Sequence, residues 1–407
     1  MTHKYINNYF LLLFCFIPIS IIVGPTVSLI NILLIDFSFL ILIIYLKDYS
    51  FLKSDVFKYL IALYLYLILN SLISVDKEIG LYRNFGFIRI IILFFAINFF
   101  LKDENFLKRL FYFWLFVISI VLIDIFFEAF VGKNLLGYGE LYGRRVVSFF
   151  KDEPIVGGYV NAFYLILIGF LHEIKNKKYK NQILLCSIIL FIAIFFTGER
   201  SNSIKALFGI IIFYSIFRDY QLKHKIIMAV TSIIIIVSII LNSNFLKLRY
   251  FNQIKGQLTY DQTYFQLYKS GFQIFKDNIF FGVGNKNYRV VACSSDNSLK
   301  INESKKLICN THPHQIYFEL LSEHGIIGTI LIIYLFFKLI FKNFIFRLKE
   351  LNNIQLGSGI YILLTFLPLI PSGALFSDYL ITFLGINIGI FYGSNPNFNI
   401  FLSNSKR

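Results

Sequence analysis

Apolar runs with almost no charge recur along this sequence, and several reach the length of about 18 residues that a helix needs to cross a hydrocarbon layer about 30 Å thick. They fall near residues 9–24, 27–46, 57–75, 85–101, 107–130, 157–174, 183–197, 203–218, 225–242, 315–340, 357–371 and 376–393. That pattern predicts an all-α integral membrane protein with about twelve transmembrane helices. The runs are continuous and do not alternate, which excludes a transmembrane β-barrel. With 57% hydrophobic and 15% charged residues in 407, the chain also lacks the polar surface that a soluble fold of this size needs.

Charge placement supplies the topology. The net charge of +16 sits mainly in short loops, which argues for membrane anchoring and against nucleic acid as a partner. Lys47 and Lys53; Lys102, Lys108 and Arg109; Lys175, Lys177, Lys178 and Lys180; Arg218, Lys223 and Lys225; and Lys342, Arg347 and Lys349 occupy alternate loops. By the positive-inside rule those loops are cytoplasmic, and so are both termini, the second ending in Lys406 and Arg407. The loop from Asp76 to Arg83 fits this rule least, because it carries Lys77. The first 23 residues have no small-residue cleavage site and read as a first span, not a removed signal. The organisation expected is therefore residues 1–242 for spans one to nine, 243–313 for one large outward loop, and 314–407 for spans ten to twelve with a cytoplasmic tail.

Within the outward loop, residues 261–276 place aromatic and aliphatic side chains at helical spacing, as an amphipathic helix at the membrane surface would. The following F-F-G-V-G-N-K-N-Y-R, residues 280–289, predicts a sharp turn. It carries no meaning as a nucleotide motif, since no strand precedes it. Cys15 and Cys186 lie in apolar spans and read as small hydrophobes. Cys293 and Cys309 both lie in the outward loop, and a disulfide between them would stabilise it by about 3 kcal/mol; two free thiols are the alternative. Zinc is disfavoured because no C-x-x-C pair is present.

Ionisable residues gather at the outward face. Residues 309–329 combine His312, His314 and His324, with Pro313 stiffening the chain between the first two just as an apolar run begins. His314 stands at the start of the tenth span and has the chemistry of a general base near neutral pH, with helix capping as the bland alternative. Arg200 lies between two spans, where snorkelling or a salt bridge with Glu199 is the structural alternative. Arg249 lies where the ninth span emerges, Arg289 follows the glycine turn, and Arg145 precedes the sixth span. Guanidinium forks suit phosphate oxygens, so arginines facing one outward cavity would bind an anionic lipid carrier. Asp124 and Glu128, four residues apart, are a candidate carboxylate pair or merely solvated groups. Asp36, deeper in the second span, is a candidate for pairing with a neighbouring helix.

These motifs together resemble the O-antigen ligase and polymerase superfamily. Its signature of a histidine, then Asn, Ser or Gln, nine residues and G-x-x-G is matched by His314, Gln315, residues 316–324, Gly325 and Gly328. T-G-E-R-S at 197–201, the stretch 275–289 and P-S-G-A-L-F-S at 371–377 are similar to further family landmarks, so the resemblance spans about residues 140–385. It implies a GT-C-like membrane glycosyltransferase with about twelve spans and a large periplasmic loop, in a bacterial inner membrane. The reaction implied moves a glycan from undecaprenyl pyrophosphate to lipid A-core, in a ligase, or to another lipid-linked repeat, in a polymerase. No cofactor, nucleotide sugar or metal is implied. Carried over by position, His314 would activate the acceptor hydroxyl and Arg200 would bind the pyrophosphate. Arg249 would be the second arginine, with Arg289 as its alternate, and Arg145 and His312 join as substrate-binding candidates. Gln315 replaces the commoner Asn, and His312 adds a second candidate base. A polysaccharide or lipid exporter without chemistry is the rival class; it would call for ionisable residues deep in several spans, and these are scarce.

Overall fold

Pairs of apolar helices are closed by residues with obvious turn chemistry. In the computed structural model, which describes residues 2–139, 145–151, 153–174, 177–217, 221–242, 244–252, 255, 263–294 and 307–403, α1 (Thr2–Val23) and α2 (Pro25–Leu46) are separated by Gly24 alone. Gly24 has φ 141°, which a side chain would resist, and Pro25 starts α2 where no intrahelical donor is needed. Ser54 caps α3 (Asp55–Leu72) by accepting from Phe57 N, and Asp76 caps α4 (Lys77–Phe85) by accepting from Ile79 N. The loop expected around Lys77 is thus helical. It runs on into α5 (Ile88–Leu101), and Lys77–Leu101 together make one long apolar stretch. Then follow α6 (Glu104–Val131), α7 (Val156–Ile174), α8 (Lys180–Phe196), α9 (Arg200–Ile216) and α10 (Leu222–Asn242).

The region expected as one outward loop contains a short helical segment at 244–252, then α11 (Thr263–Asp277) and α12 (Tyr288–Ala292). The chain continues through α13 (Ile316–Phe336), α14 (Asn353–Thr365) and α15 (Asp378–Gly393). Among the described residues there is no strand, and the molecule is an all-α, multi-pass membrane protein. Among the described residues seven helices are long and apolar enough to cross a membrane, or eight if the bent pair Lys225–Leu241 and Phe245–Asn252 counts as one. Several other expected spans are helices of only 13 to 17 residues, among them α8, α9, α14 and α15. The segment expected at 357–371 stops being helical at Thr365, because Pro368 and Pro371 cannot continue it. The basic residues Lys175, Arg218, Lys406 and Arg407 lie outside the described residues.

Small residues set the packing. A Cβ on Gly169 of α7 would lie 2.2 Å from Asn353 O, and one on Gly357 of α14 would lie 2.1 Å from Leu165 O, so these two helices touch backbone to backbone. Gly385, Gly389 and Gly393, one turn apart on α15, face Ile90, Ile97 and Leu101 of α5. Between membrane helices such close approach replaces the hydrophobic drive that lipid removes. Residues 156–171 of α7 are almost entirely buried, so α7 is the central post against which the outward loops are arranged.

The sharpest departure from regular helix is at Gly325, with φ 62° and ψ −168° in the middle of α13. In an unbroken helix Ser322 O and Glu323 O would accept from Ile326 N and Ile327 N. Here they accept from Val283 N (2.9 Å) and Gly284 N (2.9 Å), while Ile326 N and Ile327 N donate to Ile279 O (2.8 Å) and Phe280 O (3.2 Å). The 279–284 segment is inserted into the break, exchanging two helical hydrogen bonds for four. Glycine is required on both sides: a Cβ on Gly325 would lie 2.4 Å from Phe280 C, and one on Gly282 would lie 2.4 Å from Glu323 C. Gly328 completes the crossing by admitting Tyr66 of α3, whose Oη occupies the place of the missing side chain. Asn70 of α3 also donates to Phe281 O and Glu323 O.

Candidate functional site

The α8–α9 turn is the floor of the site. Thr197 and Gly198 (φ 74°) reverse the chain, and Glu199 and Arg200 open α9. The Glu199 carboxylate accepts from Gly157 N at the start of α7 (2.6 Å) and from Asn202 Nδ2 (2.7 Å). It is therefore not the ion-pair partner that the sequence offered for Arg200. Burial raises the Glu199 pKa to about 7, opposed by these hydrogen bonds and by Arg145. Arg200 Nη1 is buried without a hydrogen-bond partner. A buried guanidinium nitrogen in that condition carries a cost that a bound anion would relieve.

Arg249 reaches the same turn from the 244–252 segment. Its Nη2 donates to Gly198 O at 3.0 Å, and the residue is buried. Tyr250 beside it stacks on Phe195 (centroids 4.2 Å apart) and hydrogen-bonds with Ser203 (2.6 Å), fastening this segment to α8 and α9. Arg145 comes from the opposite side, on a loop held by α6. There Asp124 Oδ2 accepts from Ser148 Oγ (2.6 Å), and Glu128 accepts from Val147 N (3.0 Å) and Ser148 N (2.6 Å). The carboxylate pair flagged in the sequence is thus a clamp on the arginine-bearing loop, neither solvated nor facing the cavity. Asp36 is buried on α2, and neither of its carboxylate oxygens has a hydrogen-bond partner.

His314 is presented from the fourth side, immediately before α13. Its φ of 56° is rarely adopted by a non-glycine residue. Gln315 then turns extended and caps α13, its Oε1 accepting from Tyr317 N (2.8 Å) and Phe318 N (3.1 Å). That accounts for the polar residue after the signature histidine. The 371–377 segment fixes the histidine strand: Ser372 N donates to His314 O (2.9 Å), and Leu375 N donates to the buried Glu319 carboxylate of α13. His312 packs against His314, ring centroids 4.1 Å apart, and both its nitrogens are engaged, Nε2 with Ser372 O (3.1 Å) and Nδ1 with Thr311 Oγ1 (2.9 Å). Burial, then the neighbouring His314, pushes the His312 pKa down to about 3. Burial also lowers that of His314 below the ordinary imidazole value. Both imidazoles are thus neutral at pH 7, and only His314 borders the cavity.

A cavity of about 330 Å³ is lined by Arg145, Arg200, Arg249 and His314, together with Glu199 and Lys205. Four cationic side chains against one carboxylate give it an excess of positive charge. Arg289 is exposed on α12 and is not among the lining residues. Cys293 follows α12 as its C-cap and is joined by a disulfide, Cα atoms 4.4 Å apart, to Cys309, three residues before His312. Sequence reasoning missed Lys205 and the wall formed by Tyr361 and Tyr379. The only signal for Lys205 was its place five residues beyond Arg200 on one helix.

An all-helical membrane protein with an arginine-lined cavity and a neutral histidine at its rim is the class that this fold and site define. Residues 185–333 match the family model described as O-antigen ligase, Wzy_C, so this part of the chain is similar to the O-antigen ligase family. The match takes in Arg200, Arg249, His314, Gly325 and Gly328; Arg145 and the 371–377 segment lie outside it. No curated protein matches the chain significantly.

Proposed function

We propose that this protein is a lipid-carrier-dependent glycosyltransferase of the O-antigen ligase type, moving a glycan from undecaprenyl pyrophosphate to a hydroxyl of lipid A-core. The observation that carries this reading is the convergence of Arg145, Arg200 and Arg249 with His314 on one cavity, where Arg200 Nη1 is buried and unpartnered. His314 takes the proton of the acceptor hydroxyl, and the oxygen so activated bonds to the anomeric carbon of the donor. The bond from that carbon to the pyrophosphate oxygen breaks, and the electron pair leaves with undecaprenyl pyrophosphate, whose charge the arginines hold. His312, with both nitrogens engaged, positions His314 and does not act as the base. Arg249 is the second arginine, and Arg289 stands outside the reaction. The site faces the periplasm from a bacterial inner membrane, with both termini cytoplasmic, about twelve spans in a GT-C-like arrangement, and no metal or nucleotide sugar.

The test is transfer by purified protein from an undecaprenyl-pyrophosphate-linked glycan, with EDTA present, to lipid A-core or to a second lipid-linked glycan. A single glycan block on lipid A-core, abolished by His314→Ala and by Arg200→Lys, is expected. Lengthening of the lipid-linked chain would assign the polymerase reaction instead. Wild-type turnover in His314→Ala would overturn the role of the histidine.

A further inference from the structure

A second cavity, of about 560 Å³, lies against the first. The two share Ile155 and Tyr379 as lining residues, and Tyr379 Oη donates to Ile155 O at 2.8 Å, so one hydrogen-bonded pair forms the partition. The wall of the second cavity is apolar where α1 turns into α2, from Ile21, Val23, Pro25 and Leu29. Val23 in this wall, and Ile30 next to Leu29, are exposed. Its other side is polar and balanced in charge, with Arg89 and Lys151 against Glu153 and Asp378. Arg83 and Arg89 both pair with Asp378, and yet Arg89 Nε is buried with no hydrogen-bond partner.

The two cavities therefore differ in what they can hold. The first carries an excess of cations and suits a pyrophosphate. The second has no net charge, offers donors and acceptors of both signs on one side and an apolar face on the other, and so suits a neutral hydroxylated group attached to a hydrophobic chain. We propose that the second cavity seats part of the acceptor glycolipid, a neutral sugar of it against Arg89 and Asp378 and an apolar portion along the α1–α2 turn. This rests on the reading of the first cavity as the pyrophosphate site. The accepting hydroxyl has to extend past the Tyr379–Ile155 pair to reach His314 and the donor in the first cavity, and the two substrates enter from different sides.

The experiment fills the second cavity from its apolar wall with Ser28→Trp and, separately, Leu29→Trp, neither residue lining the first cavity. Binding of two probes is read by saturation-transfer NMR on full-length protein in phosphatidylethanolamine–phosphatidylglycerol nanodiscs. One probe is n-octyl maltoside, a neutral sugar on an apolar chain; the other is undecaprenyl phosphate. Either filling substitution should weaken octyl maltoside at least tenfold and leave undecaprenyl phosphate within twofold, whereas Arg200→Ala should do the reverse. In the transfer assay the same fillings should raise the KM for acceptor at least tenfold with the KM for donor unchanged. Octyl maltoside binding that both fillings leave intact would overturn the proposal. So would loss of undecaprenyl phosphate, which would give the cavity to the carrier. Because binding is read without turnover, failure of the transferase reading would show separately, as wild-type protein that binds both probes and transfers nothing.

Discussion

Gly325→Ala and Gly282→Ala test whether the signature glycines serve the inserted crossing. At Gly325 the φ of 62° and ψ of −168° lie in a region that only glycine enters readily, a strain of about 1–3 kcal/mol for alanine. The new Cβ would also stand 2.4 Å from Phe280 C and 2.5 Å from Phe281 N, both backbone atoms that no rotamer change can move. Relief requires pulling the 279–284 segment out, which loosens four backbone hydrogen bonds worth about 1 kcal/mol each. Strain and partial loss of those bonds together give about 3–6 kcal/mol. With an unfolding entropy of about 2.1 cal/mol/K per residue over 407 residues, that lowers Tm by about 4–7 °C. Unfolding can be followed by the fluorescence of Trp114, which is buried and the only tryptophan. Gly282→Ala attacks the same crossing from the other strand, so the double variant should lose clearly less than the sum of the singles. A Tm change below about 1 °C in each single variant, or strict additivity in the double, would refute the inserted-segment account.

Replacing Glu128 with alanine leaves Val147 N and Ser148 N without their acceptor; we expect a loss of about 1–3 kcal/mol and a donor KM raised about tenfold as Arg145 shifts, both read on the purified protein. Since burial lowers the His314 pKa below the ordinary imidazole value of 6.5, the acid limb of kcat/KM should have its inflection below pH 6.5; an inflection above 6.5 would contradict the assignment. His312 binds its proton near pH 3 when folded and near 6.5 when unfolded. Stability should therefore decline as pH drops through that window, by at most about 1.4 kcal/mol per pH unit, and His312→Gln should flatten the decline. Cys293→Ser opens the link to Cys309, 16 residues away in sequence, and should cost about 3 kcal/mol; equal Tm values with and without reductant would count against any stabilising role.

Membrane insertion, helical class and the location of the histidine segment could be read from the sequence because each rests on a local property. Continuous apolarity needs no partner to be recognised, and a histidine beside Gln315 with glycines at 325 and 328 is visible as spacing. The amphipathic run near 261–276 was visible in the same way and appears as α11. The boundary between the first two apolar runs falls at the break seen at Gly24, whereas the run expected to reach residue 371 ends as a helix at Thr365.

What the tertiary structure alone decided concerns groups far apart in sequence. Whether Asp124 and Glu128 face solvent, substrate or backbone depends on where residues 145–148 return to α6, and nothing local fixes that. The same holds for Arg200 and Glu199, adjacent in the chain yet turned to different partners because α7 presents the Gly157 amide to the carboxylate. Arg249 and Arg289 were equivalent by composition; only the packing of Tyr250 against Phe195 carries Arg249 to the turn, while Arg289 remains on an exposed helix. The G-x-x-G spacing announced that glycine was needed but not why. The reason is steric and long-range, since the backbone of 279–284 and the hydroxyl of Tyr66 occupy the space that two side chains would have taken. Sequence by itself determined the solvent this chain folds in and which residues carry reactive groups. Contacts between distant segments determined which of those groups share a cavity, because burial and hydrogen-bond partners are properties of the packed molecule.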